Sequence, residues 1–224
     1  MQKLIFPLLL GIVGCAILLW LGAWQLQRLE WKEGILADID ARLAAEPVPL
    51  SLNASRANDN YRGVVVVGQP TGEELHVLAS GTAAGTGYRV ISKFQMQSGP
   101  EIMIDLGLLP PEIKDQAPAP TMTEIKGNLI WPDDKNRSTP DKDLGANIWF
   151  ARDVVEMSQH LDTLPIMIVA RSSSAPDPRL IPLPINTANI KNDHLNYAIT
   201  WFLLAAVWAT MTIFLIRRTR QKDA

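Results

Sequence analysis

The chain has 224 residues, 47% of them hydrophobic, and a formal charge of -2, which fits one globular domain plus membrane segments. Residues 25–196 carry 16 Lys and Arg against 22 Asp and Glu, a net of -6. So acidic a middle makes a poor nucleic-acid binder, because counterion release needs clustered cations. Cys15 is the only cysteine and the seven methionines are scattered, which excludes an internal disulfide and a paired-thiolate site and argues against a soft-metal carrier.

In chain order, "LIFPLLLGIVGCAILLWLGAW" (4–24) comes first, with no charge over 21 residues. That length crosses a hydrocarbon core of roughly 30 Å as a helix. The run exceeds the apolar core of a signal peptide, Leu21-Gly22-Ala23 is a weak cleavage site, and Trp20 and Trp24 suit the interface, so an uncleaved anchor is expected. Residues 25–46 continue as an amphipathic helical extension, with Leu29, Leu36, Ile39 and Leu43 at helical spacing and Pro47 as the stop. Trp24, Arg28 and Lys32, four residues apart, form one stripe at the membrane surface.

Residues 47–191 change character. "YRGVVVVG" (61–68), "ELHVLAS" (74–80), "YRVISKFQM" (88–96), "EIMIDLG" (101–107), "TEIKGNLIW" (123–131) and "PIMIVA" (165–170) are short, β-branched and bounded by turn residues. They predict a β-rich (α+β) domain, built as a small antiparallel barrel or sandwich, with one helix at 152–161. Proline-rich stretches join the elements. A second apolar helix is expected over 195–216, followed by a basic tail, 217–224, with four cations and one acid. Lys3 and this tail predict cytoplasmic ends by the positive-inside rule, which exports the central domain to the periplasm. The short tail leaves no output domain, arguing against a sensor kinase, and two spans without mid-membrane charge argue against a transporter.

Few residues carry chemistry. His76 reads as a satisfied strand residue and His160 as a helix C-terminal donor. Asp133 and Asp134 read as solvated loop charge. No serine elbow, phosphate loop or HExxH motif occurs, so no enzyme is expected. "NDHLNYAITWF" (192–202) differs. On a helix His194, Tyr197, Ala198, Trp201, Ala205 and Trp208 share one face, placing an imidazole above aromatic rings with gaps at two alanines. Neutral imidazole is a common haem-iron ligand and a porphyrin wants aromatic walls. His, Tyr and Trp also suit a plain interfacial belt, and spacing alone leaves both readings open. If the two spans pack, Trp24 and Arg28 lie level with the mouth, with Gly11 and Gly14 permitting close approach deeper down.

"LGAWQLQRLEWK" (21–32), "YRGVVVVGQ" (61–69), "GYRVISKF" (87–94), "NIWFARDV" (147–154) and "NDHLNYAITWF" (192–202) stand in the order found in the Surfeit locus protein one family. The chain resembles a bacterial member of that family of cytochrome c oxidase assembly factors over nearly its whole length. One departure is "DLGLLP", where Leu106 stands in place of the family's arginine and Leu108 in place of an aromatic residue. The resemblance implies a protein of the bacterial inner membrane that binds haem a and helps its insertion into oxidase subunit I. It implies His194 as the iron ligand, and a haem a synthase as a further candidate partner. Tyr197 and Trp201 would face the ring; Trp24 and Arg28, with Lys32 beside them, would meet it from the first span. The alternative is a cofactor-free scaffold for nascent subunit I, in which His194 is replaceable.

Overall fold

The computed structural model of the chain describes residues 2–82, 84–188 and 190–222, with side chains from Ile5 to Gln221. The side chain of Lys3 and the last two residues of the basic tail lie outside the described residues. Two compact units result: the residues up to Asp38 with those from Thr187 onward, and Ile39–Asn186.

The first unit is a pair of antiparallel helices. α1 spans Gln2–Ala44, 43 residues that would reach about 65 Å. It runs unbroken through Gly34, where the sequence suggested a loosening. α4 spans His194–Lys222 and begins at the histidine itself, the Asp193 carbonyl accepting from the Tyr197 N–H at 3.1 Å. Both helices are long and apolar enough to cross a membrane.

Their seam is built on small residues. A Cβ added at Gly22 would meet the Phe202 ring at 2.6 Å, at Gly14 the Trp208 indole at 2.3 Å, and at Gly11 the Thr212 side chain at 2.2 Å. Opposite them Ala198 and Ala205 are only 1% and 5% exposed. Close approach across small residues is the main source of helix association in lipid, where burial alone gains nothing. Gly22→Leu should therefore part the helices. Cys15 Sγ lies 3.8 Å from the Ala205 carbonyl, so oxidative cross-linking of Cys15 to an Ala205→Cys variant should succeed and fall several-fold once Gly22→Leu is added.

The second unit is sheet-rich. In chain order it holds β1 (Val48–Pro49), α2 (Arg56–Asp59), β2 (Gly63–Thr82), β3 (Gly85–Met96), β4 (Glu101–Leu109), β5 (Thr123–Leu129), β6 (Ile148–Trp149), α3 (Val154–Leu161) and β7 (Met167–Ser173). Two membrane-length helices flanking a sheet-rich domain match the expected class. The antiparallel expectation needs correction, because the sheet is mixed. β1 and β6 run parallel to β2, and β7 runs parallel to β4 and antiparallel to β5. The strand path β2-β3-β4-β7-β5 returns to β2, since β2 pairs β5 through Gly63–Gly68 and β3 from Gly68 onward. At Gly68 a Cβ would lie 2.1 Å from the Gln95 carbonyl, so only glycine fits where the ladder changes partner.

Two predicted strands, 61–68 and 74–80, are one long strand interrupted by a bulge between Pro70 and Glu74. Pro70 has no N–H for the ladder and Gly72 takes φ +95°; those turn-type residues bend the strand without ending it. The first part of β7, residues 167–169, is a continuous apolar run because it is buried on both faces, whereas residues 171–173 are not buried. Met167 and Val169 pack with Met103, Trp149, Met157 and Leu161 beneath α3. Ile168 packs with Phe94, Ile102, Ile104 and Ile125 on the opposite face. α3 starts where Asp153 accepts from the Glu156 N–H at 3.1 Å, a capping residue just ahead of the apolar repeat.

Candidate functional site

The helix pair supplies the first candidate. His194 is half-buried at the start of α4, and its Nδ1 lies 2.7 Å from Gln25 Oε1 of α1. With the amide oxygen accepting, Nδ1 is the donor, and in the neutral ring Nε2 is then left its lone pair, with no partner among the described residues. A carbonyl-held imidazole with its other nitrogen free is the usual state of a metal-ligating histidine. Gln25 is the residue the sequence did not single out. Its one signal was a polar side chain within the apolar-to-amphipathic stretch "GAWQLQR", one turn before Arg28.

Helix geometry distributes the other candidates. Gln25 and the three glycines mark the face of α1 turned to α4. A rotation of 100° per residue then carries Trp24 and Arg28 to one flank, away from the Gly22–Phe202 contact. On α4, Tyr197 and Trp201 fall on that same side. The expected stripe on α4 is therefore split. Ala198 and Ala205, read as gaps for a ring, are covered by α1, while Tyr197 is 56% exposed beside the seam. A ligand of His194 would lie along this flank and not within the stripe.

Arg28 is half-buried, with its guanidinium 4.1 Å from the centre of the Trp31 ring, and has no carboxylate partner among the described residues. It keeps its charge available for an anion. Lys32 is tethered: its ammonium donates one of its three N–H groups to the Lys191 carbonyl just ahead of α4. Arg28 thus stands without a carboxylate partner among the described residues, and Lys32 ties the approach to α4 onto α1. No group of three or more His, Cys, Asp or Glu residues able to hold a metal ion occurs among the described residues. What this unit offers a metal is one imidazole beside aromatic walls and a cation, a donor set that fits a metal arriving inside its own macrocycle.

In the sheet domain, the buried charged groups are engaged with one another, while His76 Nδ1 and Trp149 Nε1 are buried without a partner among the described residues. Glu74 accepts from His76 Nε2 at 3.0 Å and from Arg179 at 3.1 Å, and Arg179 also donates to Asp177 and to the Gln116 carbonyl at 2.6 Å. Arg179 floors a cleft of about 170 Å³ rimmed by Pro70, Pro118, Pro120 and Pro178; its donors are used in holding the 174–182 loop to β2. Burial pushes the Glu74 carboxyl up, but the bonds from His76 and Arg179 outweigh it and hold the group below the ordinary carboxylate value. A depressed carboxylate contributes stability that is present above its unfolded value and lost as pH falls through the folded one. Acid should therefore destabilise the domain below the ordinary carboxylate range. Glu74→Gln should flatten that loss in a thermal series from neutral to acid pH, at the cost of lower stability at neutrality.

A second buried network centres on Asp105, which is fully buried on β4. Its Oδ2 lies 2.6 Å from Arg89 Nε and 3.6 Å from Arg152, and its Oδ1 accepts from the Gly107 N–H at 3.3 Å. Arg152 in turn pairs with Asp134 at 2.7 Å, an exposed loop carboxylate as its sequence context suggested. The "DLGLLP" turn is a bulge: Val90 faces Gly107 and Ile91 faces Asp105, leaving Leu106 as the extra residue. Leu106 packs beside the Phe94 core, and Gly107 takes φ +127° against the Ile181 carbonyl. His160 sits at the exposed end of α3, its ring edge-on to Trp149.

Two helices long and apolar enough to cross a membrane, and a sheet-rich domain whose buried charges pair with one another, define the class of this protein. The chain belongs to the SURF1 family, whose model matches residues 12–206. It is 32% identical to a SURF1-like protein of Rickettsia felis over 94% of this chain and 96% of that one. It is 28% identical to Surfeit locus protein 1 of Xenopus tropicalis over 83% of this chain and 68% of that protein. A SURF1-like protein of Monosiga brevicollis is 27% identical over 88% of the chain.

Proposed function

We propose that this chain takes haem a onto His194 and hands it to subunit I during assembly of a haem-copper oxidase. Membership of the SURF1 family supports oxidase assembly as the setting, and the observation that carries the haem reading is the Gln25–His194 pair. An amide that fixes the protonated nitrogen leaves the other one as a ready iron ligand. Arg28 meets the propionates as a charge-assisted donor, and Trp24, Tyr197 and Trp201 wall the ring. The macrocycle supplies the iron and its remaining in-plane ligands. A single protein ligand on an open flank suits cargo that must leave again.

In this reading the chain lies in a bacterial inner membrane, with both ends cytoplasmic and the sheet domain in the periplasm. Arg217, Arg218 and Arg220, directly after the apolar part of α4, support that orientation. A haem a synthase is the natural donor of the cargo. The contrasting reading is a scaffold for subunit I that holds no cofactor. In cells lacking the chain, oxidase activity and haem a content should recover with the wild-type gene and not with His194→Ala. Full recovery with the variant, expressed at the same level, would select the scaffold.

A further inference from the structure

The helix pair offers more than an imidazole at its mouth. On α1, Leu10, Ile17, Leu21, Trp24 and Arg28 stand at offsets of 0, 7, 11, 14 and 18; on α4, Tyr197, Leu204, Trp208, Met211 and Leu215 repeat the same offsets. Each set follows one flank of its helix. Because Gly22 and Phe202 pack on the other side, helix geometry puts the two flanks on one side of the seam, where they would border a groove. It starts beside Arg28 and Tyr197 and descends between the helices. At its deep end lies a cleft of about 480 Å³ lined by Pro7, Leu10, Gly11, Trp208, Met211 and Leu215.

That cleft is overwhelmingly apolar, and the one indole N–H on its wall, that of Trp208, stands against Gly14. The two hydroxyls on its wall are turned back onto their own helix, Thr210 to the Ala206 carbonyl and Thr212 to the Trp208 carbonyl, both at 2.8 Å. The lining suits a hydrocarbon. From His194 to Trp208 is fourteen residues, about 21 Å along α4. A farnesyl chain leaving the edge of an iron-bound porphyrin reaches on the order of 20 Å from the metal at ordinary carbon–carbon bond lengths.

We infer that the groove is a tail channel: the isoprenoid chain of the cargo runs down the flank from His194 and ends in the cleft beneath Trp208. This rests on the haem reading above and adds to it the basis for choosing a farnesylated haem over haem b. The selectivity comes from packing and not from escape from water, because a tail left in the bilayer is equally dry. Trp208 is central to it, since its indole stands against Gly14 and closes the seam side of the cleft.

The test compares haem a and haem b binding to the full-length chain in nanodiscs of one lipid composition, for wild type, Leu10→Trp and Leu215→Trp. Each variant fills the cleft from a different helix and neither touches the iron site. Wild type should prefer haem a. Either variant should weaken haem a about fivefold, a packing effect of about 1 kcal/mol, with haem b affinity and the absorption spectrum of the bound iron unchanged. Unchanged haem a affinity in both variants, with the preference for haem a intact, would place the tail in the lipid and overturn the channel while leaving the His194 reading standing. Absence of any haem on the wild-type chain would overturn both.

Discussion

His194→Ala is expected to strip haem a from the purified chain, with a loss of affinity of about a hundredfold or more. A residue that merely supports a metal ligand is typically worth about 10–100-fold, and here the ligand itself goes. Gln25→Leu supplies the graded companion. It removes the acceptor 2.7 Å from Nδ1, frees the ring to rotate and to change tautomer, and should weaken binding by about tenfold. Titration of both variants with haem a, followed by the absorption of the bound iron, reads the two effects on one scale. A ligand role predicts the order wild type, Gln25→Leu, His194→Ala. An interfacial belt predicts three equal curves, since the same aromatic walls remain. The order also separates ligation from adhesion of a porphyrin to an apolar groove, which no single nitrogen would control.

Asp105→Ala is expected to have the largest effect on the sheet domain. The substitution leaves Arg89 and Arg152 facing each other across a fully buried position, 2.6 Å and 3.6 Å from where the carboxylate stood. Removing one partner from such a group costs about 3–5 kcal/mol, because the remaining charges keep their desolvation penalty and lose their compensation. Arg152 retains Asp134, and Arg89 retains the Leu183 carbonyl at 3.1 Å, which sets the effect toward the lower end. A thermal midpoint lowered by roughly 10 °C would match this magnitude for a domain of such size. Replacing Asp105 and Arg89 together by Leu and Met should recover part of the loss, since an apolar pair needs no compensation. A loss undiminished by the double replacement would show that the network fixes the β4 bulge geometry rather than balancing charge.

Much of this was readable before any coordinates. Both apolar helices follow from uninterrupted hydropathy, because a backbone with no water around it has few alternatives to a helix. His194 stood out because an imidazole at the threshold of such a run needs a reason. Its partner did not stand out: Gln25 matters only because Gly11, Gly14 and Gly22 bring α1 against α4 in one register, and no local pattern states that register. The same limit hid the role of Lys32, whose bond to the Lys191 carbonyl spans 159 residues of sequence. In the sheet, β-branched content between turn residues identified β3 and β5, yet it could not say that β7 enters between β4 and β5. A strand covered on both faces loses the period that would orient it. Pro70 and Gly72 signalled a break between two strands, and the chain uses them to bend one.

The most direct measurement of hand-over mixes the haem-a-loaded chain with haem-free subunit I in nanodiscs and follows the haem spectrum over time. Hand-over predicts that the signal leaves the chain and appears on subunit I faster than haem a added free, and that a surplus of haem-free chain slows it. Equal rates from the loaded chain and from free haem a, or retention of the signal on the chain, would contradict it and leave a protein that holds haem without delivering it.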